Sequence, residues 1–134
     1  MHQAILTCSL TDTASVGTIL PPVASSVRQA RALTRSELAS RGLTDHEGTA
    51  ELLVSELVTN ALRYAACAVR LSLSFRGDTL HCEVEDTSLG PSVVRGAREE
   101  DESGRGLLLV QELARAWGRR DSRVGKVVWF ELGL

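Results

Sequence analysis

The sequence is short of most features that announce a function. It has no strong charge of either sign: 134 residues carry 15 Lys and Arg against 17 Asp and Glu, a formal net charge of -2. That balance gives no global attraction to nucleic acid or to an anionic membrane, so neither is an expected partner. A local basic cluster at Arg115, Arg119, Arg120 and Arg123 reads as a solvated face. Cysteine is scarce. Cys8, Cys67 and Cys82 are odd in number and have no CxxC spacing, which leaves them as reduced core residues of a cytoplasmic protein. The three histidines are widely separated, which speaks against a metal cluster. No basic segment leads into a long apolar run at the N-terminus, and apolar runs such as Leu107 to Val110 stay short. Neither a signal peptide nor a membrane span is therefore expected. A GxxxxGK[ST] loop is missing, as is a strand–GxGxxG–helix unit, which excludes a P-loop and makes a Rossmann site a poor fit. Repeats and low-complexity segments are missing too.

What remains is an ordinary globular composition, 43% hydrophobic and 24% charged. The length suits one domain over residues 1–134, large enough to bury about two-thirds of its unfolded surface. Residues 4–10 read as a first strand, and residues 11–22, with Pro21-Pro22, as a loop. Apolar positions at Val23, Val27, Ala30, Leu33 and Leu38 predict a helix over 23–41 that Gly42 ends. Thr44 or Asp45 is expected to cap a second helix running to about Tyr64. Residues 69–75 and 79–85 alternate as strands about the turn Arg76-Gly77-Asp78. Residues 86–104 show no periodicity. Residues 104–117 predict a helix ended by Gly118, followed by strands over 119–124 and 127–132 around Gly125-Lys126. The expected class is α+β, with helices on one face of a mixed, mostly antiparallel sheet.

Three places carry candidate chemistry. On the second helix, Glu56, Asn60 and Arg63 share one flank at i, i+4 and i+7, beside the apolar face of Val54, Leu57, Val58 and Ala61. A carboxylate and an amide oxygen one turn apart suit a hard cation such as Mg²⁺, and the carboxylate can act as a base. Any amphipathic helix also has a polar flank. Asp86 follows the strand TLHCEVE, where a carboxylate can accept from an exocyclic amine or simply open a turn. Ser103-Gly104-Arg105-Gly106-Leu107 opens a helix; its glycines expose N–H groups to an anion and Arg105 adds a charge. The same residues also make a flexible loop-to-helix joint.

Read in order, SELVTNALRYA, VEDTS, ESGRGLLLVQELARAWG and GKVVWFEL resemble the histidine-kinase-like (Bergerat, or GHKL) ATPase superfamily. Within it, the blocks look closest to small actinobacterial ATP-binding proteins related to anti-sigma factor serine/threonine kinases. The resemblance covers nearly the whole chain and implies a two-layer α/β sandwich. It implies Glu56 as general base, Asn60 as Mg²⁺ ligand, Asp86 as reader of the adenine amine, and Gly104 and Gly106 as phosphate contacts beside a lid within about 88–104. With Arg63, Arg105 and Leu107, these form the expected ATP site. Three departures stand out. Asp86-Thr87-Ser88-Leu89-Gly90 replaces DxGxG, Tyr64 stands where relatives often have His, and Val127 replaces the Thr of GKTVWFEL. The lost Thr hydroxyl is expected to cost about 1 kcal/mol of binding, a several-fold change.

The implied activity is a protein-serine kinase that is also an anti-sigma factor. Its partners would be an anti-anti-sigma (STAS) protein, a sigma factor, or both, and a homodimer stays open. The alternative is a nucleotide- or sigma-binding module without turnover. A histidine kinase fragment with His46 as phosphoacceptor is disfavoured, because only one short helix precedes it; His46 is expected at a cap or in solvent.

Overall fold

The computed structural model describes residues 14–65, 67–86 and 107–134. In chain order they form β1 (Ala14–Leu20), α1 (Ser25–Ser40), a 3-10 turn (Thr44–His46), α2 (Glu47–Tyr64), β2 (Val69–Arg76) and β3 (Thr79–Asp86). A helical stretch over 107–113 (α3), β4 (Ala116–Asp121) and β5 (Lys126–Gly133) follow. The strands make one sheet in the order β1-β2-β3-β5-β4, and every described pair is antiparallel.

Alternation decides which sheet face is covered. Leu71, Leu73 and Phe75 of β2 pair with Val84, Cys82 and Leu80 of β3, and all six are buried. Across β5 the same row set continues through Val128, Phe130 and Leu132. Ala30 and Leu38 of α1, Leu53, Val54, Leu57 and Val58 of α2, and Leu107 and Val110 of α3 close on that face as one apolar cluster. Each fully buried Leu contributes about 1.5–3 kcal/mol. The helices thus lie on one side of the sheet, the expected two-layer α+β arrangement. The buried hydroxyls are satisfied locally: Ser26 donates to the Pro21 carbonyl (2.7 Å), Thr34 to Ala30 (2.9 Å) and Ser55 to Glu51 (2.8 Å).

Gly42 ends α1 as expected. Its φ of 72° lets the chain reverse, so that Leu43 N–H reaches Leu38 O (2.9 Å) and Gly42 N–H reaches Ala39 O (3.1 Å). The hairpin over β2 and β3 also forms, closed by Gly77-Asp78.

Several expectations need correction. Residues 14–20, read as part of a loop, form β1; the strand expected over 4–10 lies outside the described residues. Neither Thr44 nor Asp45 caps α2 with its side chain: both belong to the 3-10 turn, and His46 holds the N-cap position without a side-chain bond. The third helix stops by 113 rather than 117, since Ala116 already pairs with Glu131. Gly118 lies inside β4 opposite Trp129, and Lys126 is the first residue of β5 rather than a turn residue. Cys82 is a core residue, but Cys67 is exposed because it falls in the link between α2 and β2. Cys8 lies outside the described residues.

Candidate functional site

The faces of α2 have distinct duties. Ala50, Leu53, Val54, Leu57 and Val58 are buried, and Ala61 packs beside them. One flank meets α1: Arg35 donates to both oxygens of Glu51, at 3.0 Å each. At about 100° per residue, Glu56 and Asn60 fall on the other flank. Both are half-buried and Arg63 is exposed. The strip is therefore turned away from α1, and the neighbours of β3 on its side away from β2 are β5 and β4.

Asp86 is brought to the same end of the fold. Residues 65–68 join the C-terminus of α2 to Val69, and Val69 pairs with Asp86. Asp86 in turn pairs with Lys126, and Lys126 with Asp121. This row is the last of the sheet at that end. Side chains two apart share a face, so Asp86 follows Val84 and Lys126 precedes Val128 on the helix-covered side. Asp86 and Lys126 are both half-buried. Asn60 and Arg63, near the end of α2, thus share the end of the sheet that carries Asp86, with Glu56 one turn farther along the helix.

α3 runs away from that end, because its chain reaches β4 at Ala116, opposite Glu131. Leu107 is 3% exposed and belongs to the core, so only its backbone is left to meet a ligand. Gly104, Arg105, Gly106, the stretch 87–90 and the lid expected within 88–104 lie outside the described residues.

Register changes the meaning of Val127. It pairs with Glu85 on the face away from the helices, whereas Asp86 and Lys126 share the helix side. Val127 is itself buried, at 3% exposure. Beside Asp86 in that row stands Lys126, which the sequence reading placed in a turn. Pairing the strand that ends at Asp86 with the strand that begins at Lys126 is the signal that exposes it.

Among the described residues, the sheet face away from the helices carries a second polar group. His81 sits between Glu83 (Nε2 to Oε2, 2.8 Å) and Glu131 (Nδ1 to Oε2, 3.0 Å) and stacks on Trp129 at 5.5 Å. Arg120 donates to the other oxygen of Glu83 at 3.0 Å. Burial alone would raise the Glu83 carboxyl, but the hydrogen bonds and charges of Arg120 and His81 outweigh it and hold the group below its ordinary range. An open groove of about 450 Å³ lies on this face, lined by Ser74, Arg76, Thr79, His81 and Glu131. None of the sequence candidates lines it. Burial pushes the Cys82 thiol up, and Glu83 adds to the effect. That leaves Cys82 an inert core residue.

Helices packed on one face of an antiparallel sheet, with a carboxylate–amide strip on α2 and an acidic residue at the sheet end, define a two-layer α+β class. The family model described as the histidine kinase-like ATPase domain matches residues 20–132. The chain belongs to the histidine kinase-like ATPase domain family. No curated protein matches it.

Proposed function

We propose that the chain is a cytoplasmic ATP-binding regulator, a protein-serine kinase of the anti-sigma type that acts on an anti-anti-sigma protein. The observation that carries this reading is the convergence of the α2 strip with Asp86 at one end of the sheet, within a family of ATPase domains. Asp86 would accept from the amine of adenine. The Asn60 amide oxygen would hold Mg²⁺, which takes most of its ligands from phosphate and water and neutralises phosphate charge. Glu56, half-buried beside the core stripe, would take the proton from the partner's serine hydroxyl. The serine oxygen then bonds to the γ-phosphorus of ATP, the bond to the bridging oxygen breaks, and ADP leaves.

The test has two stages. Mg-ATP at millimolar concentration should raise the melting temperature, and Asn60→Ala should remove most of that rise. No rise in the parent sinks the ATP claim. Labelled ATP with the cognate anti-anti-sigma protein should then yield phosphoserine, and Glu56→Ala should abolish it while leaving nucleotide binding intact. Undiminished phosphorylation in that variant removes Glu56 from the base role. Binding without any phosphoserine would instead support a regulator that holds nucleotide or sigma factor without turnover.

A further inference from the structure

Lys126 is the only described residue that pairs with Asp86 from β5, and the two share the helix side of the last row. Paired residues of an antiparallel sheet hold their Cβ atoms about 4.5–5.5 Å apart. The next row on that side, Val84 and Val128, is apolar, so the Asp86–Lys126 pair borders the core. On its other side Lys126 pairs with Asp121, which is exposed. Two carboxylates thus flank one ammonium along the edge, and the flexible four-carbon stem lets that ammonium move between them.

An acceptor beside a donor matches one chemical pattern on a purine. The Watson–Crick edge of adenine presents the amine donor next to the N1 acceptor, and flat bases in protein pockets are read along this edge. Guanine and hypoxanthine present the reverse order, a carbonyl acceptor next to an N1–H donor. We propose that Lys126 is a specificity-determining residue that donates to N1 of adenine while Asp86 accepts from the neighbouring amine. The inference rests on the nucleotide-binding reading above. It makes base selection a property of the pair: Asp86 rewards the amine, and Lys126 rewards an unprotonated N1. A base with the reversed order sets its carbonyl against the carboxylate and its N1–H against the ammonium.

The test uses ATP and 1-deaza-ATP, in which N1 is a C–H group, both as Mg²⁺ complexes titrated calorimetrically into the full chain. The parent should bind 1-deaza-ATP roughly tenfold more weakly than ATP, the loss of about one charge-assisted hydrogen bond. Lys126→Met should bind both nucleotides alike, at the weaker level. Lys126→Arg, which keeps a donor, should recover part of the discrimination. Equal affinity of the parent for both nucleotides overturns the proposal, as does an undiminished preference for ATP in Lys126→Met. Should Lys126→Met fail to fold, the parent and Lys126→Arg decide alone. No binding of ATP by the parent overturns the nucleotide reading itself and this inference with it.

Discussion

Gly118 shows how one absent side chain can organise its neighbours. It faces Trp129 across the β4–β5 pair, and a Cβ placed there would lie 2.9 Å from Cζ2 and 3.0 Å from Cε2 and Nε1 of the indole. The indole has little room to yield, because it stacks on His81, which Glu83 and Glu131 hold in turn. Gly118→Ala should therefore destabilise the fold by about 1–3 kcal/mol in urea unfolding and shift the tryptophan emission. Unchanged stability and emission would remove the indole contact as the reason for this glycine. Glu83, in the same group, supports a pH prediction. Its carboxyl is held below the ordinary range in the folded chain, so it favours the fold above the unfolded value of about 4.3 and loses that contribution as pH falls through the folded value. The stability gap between the parent and Glu83→Gln should be full near neutrality and close below about pH 4. Solvent screening keeps it under about 1 kcal/mol. A gap that widens on acidification would reverse the direction assigned to Glu83.

Among the elements, those covered on one face were legible and those at the margins were not. α2, β2, β3 and β5 follow from apolar spacing because each presents a nearly continuous buried stripe, whereas the buried line of α1 is Ser26, Ala30, Thr34 and Leu38, and Val23 precedes that helix and is exposed. The two edge strands fail for a shared physical reason. In β1 only Leu20 is fully buried, and in β4 no residue is, so neither carries the alternation that marks a strand. Ser15, Gly17 and Thr18 instead resemble turn composition, and Trp117-Gly118 resembles a helix and its stop. Lys126 was hidden by the same misplacement, since its partnership with Asp86 exists only once β5 begins at residue 126. Glu56, Asn60 and Asp86 could be singled out by residue type, but that the end of α2 and Asp86 lie at one end of the sheet depends on the Val69–Asp86 pairing, a long-range contact that spacing along the chain does not encode. The end of α1 permits a local test. Gly42 adopts φ 72° and turns the backbone N–H groups at 42 and 43 onto the last carbonyls of α1. Gly42→Ala should cost on the order of 1 kcal/mol in chemical unfolding, and Gly42→Asn less, because Asn tolerates the left-handed region. Equal costs would mean that the backbone there can relax to negative φ.

At the scale of the whole molecule, the residues proposed to meet nucleotide come from α2, β3 and β5, and all three elements enter one apolar cluster. A ligand held by them should not stiffen one helix alone. It binds the folded state only, so it should raise the free energy of unfolding of everything that unfolds with that cluster, by about 2.7 kcal/mol at a hundred times its Kd. The chain carries separate probes for this. Trp117 lies in β4 and Trp129 in β5, so their emission follows the sheet, whereas far-UV circular dichroism is dominated by α1 and α2. With Mg-ATP present, both thermal transitions should move upward by the same amount and remain coincident. Asn60→Ala should leave both near the nucleotide-free midpoint. A helical transition that rises while the tryptophan transition stays put would mean that the strip on α2 is not coupled to the sheet end at Asp86. The two would then be separate features rather than one site.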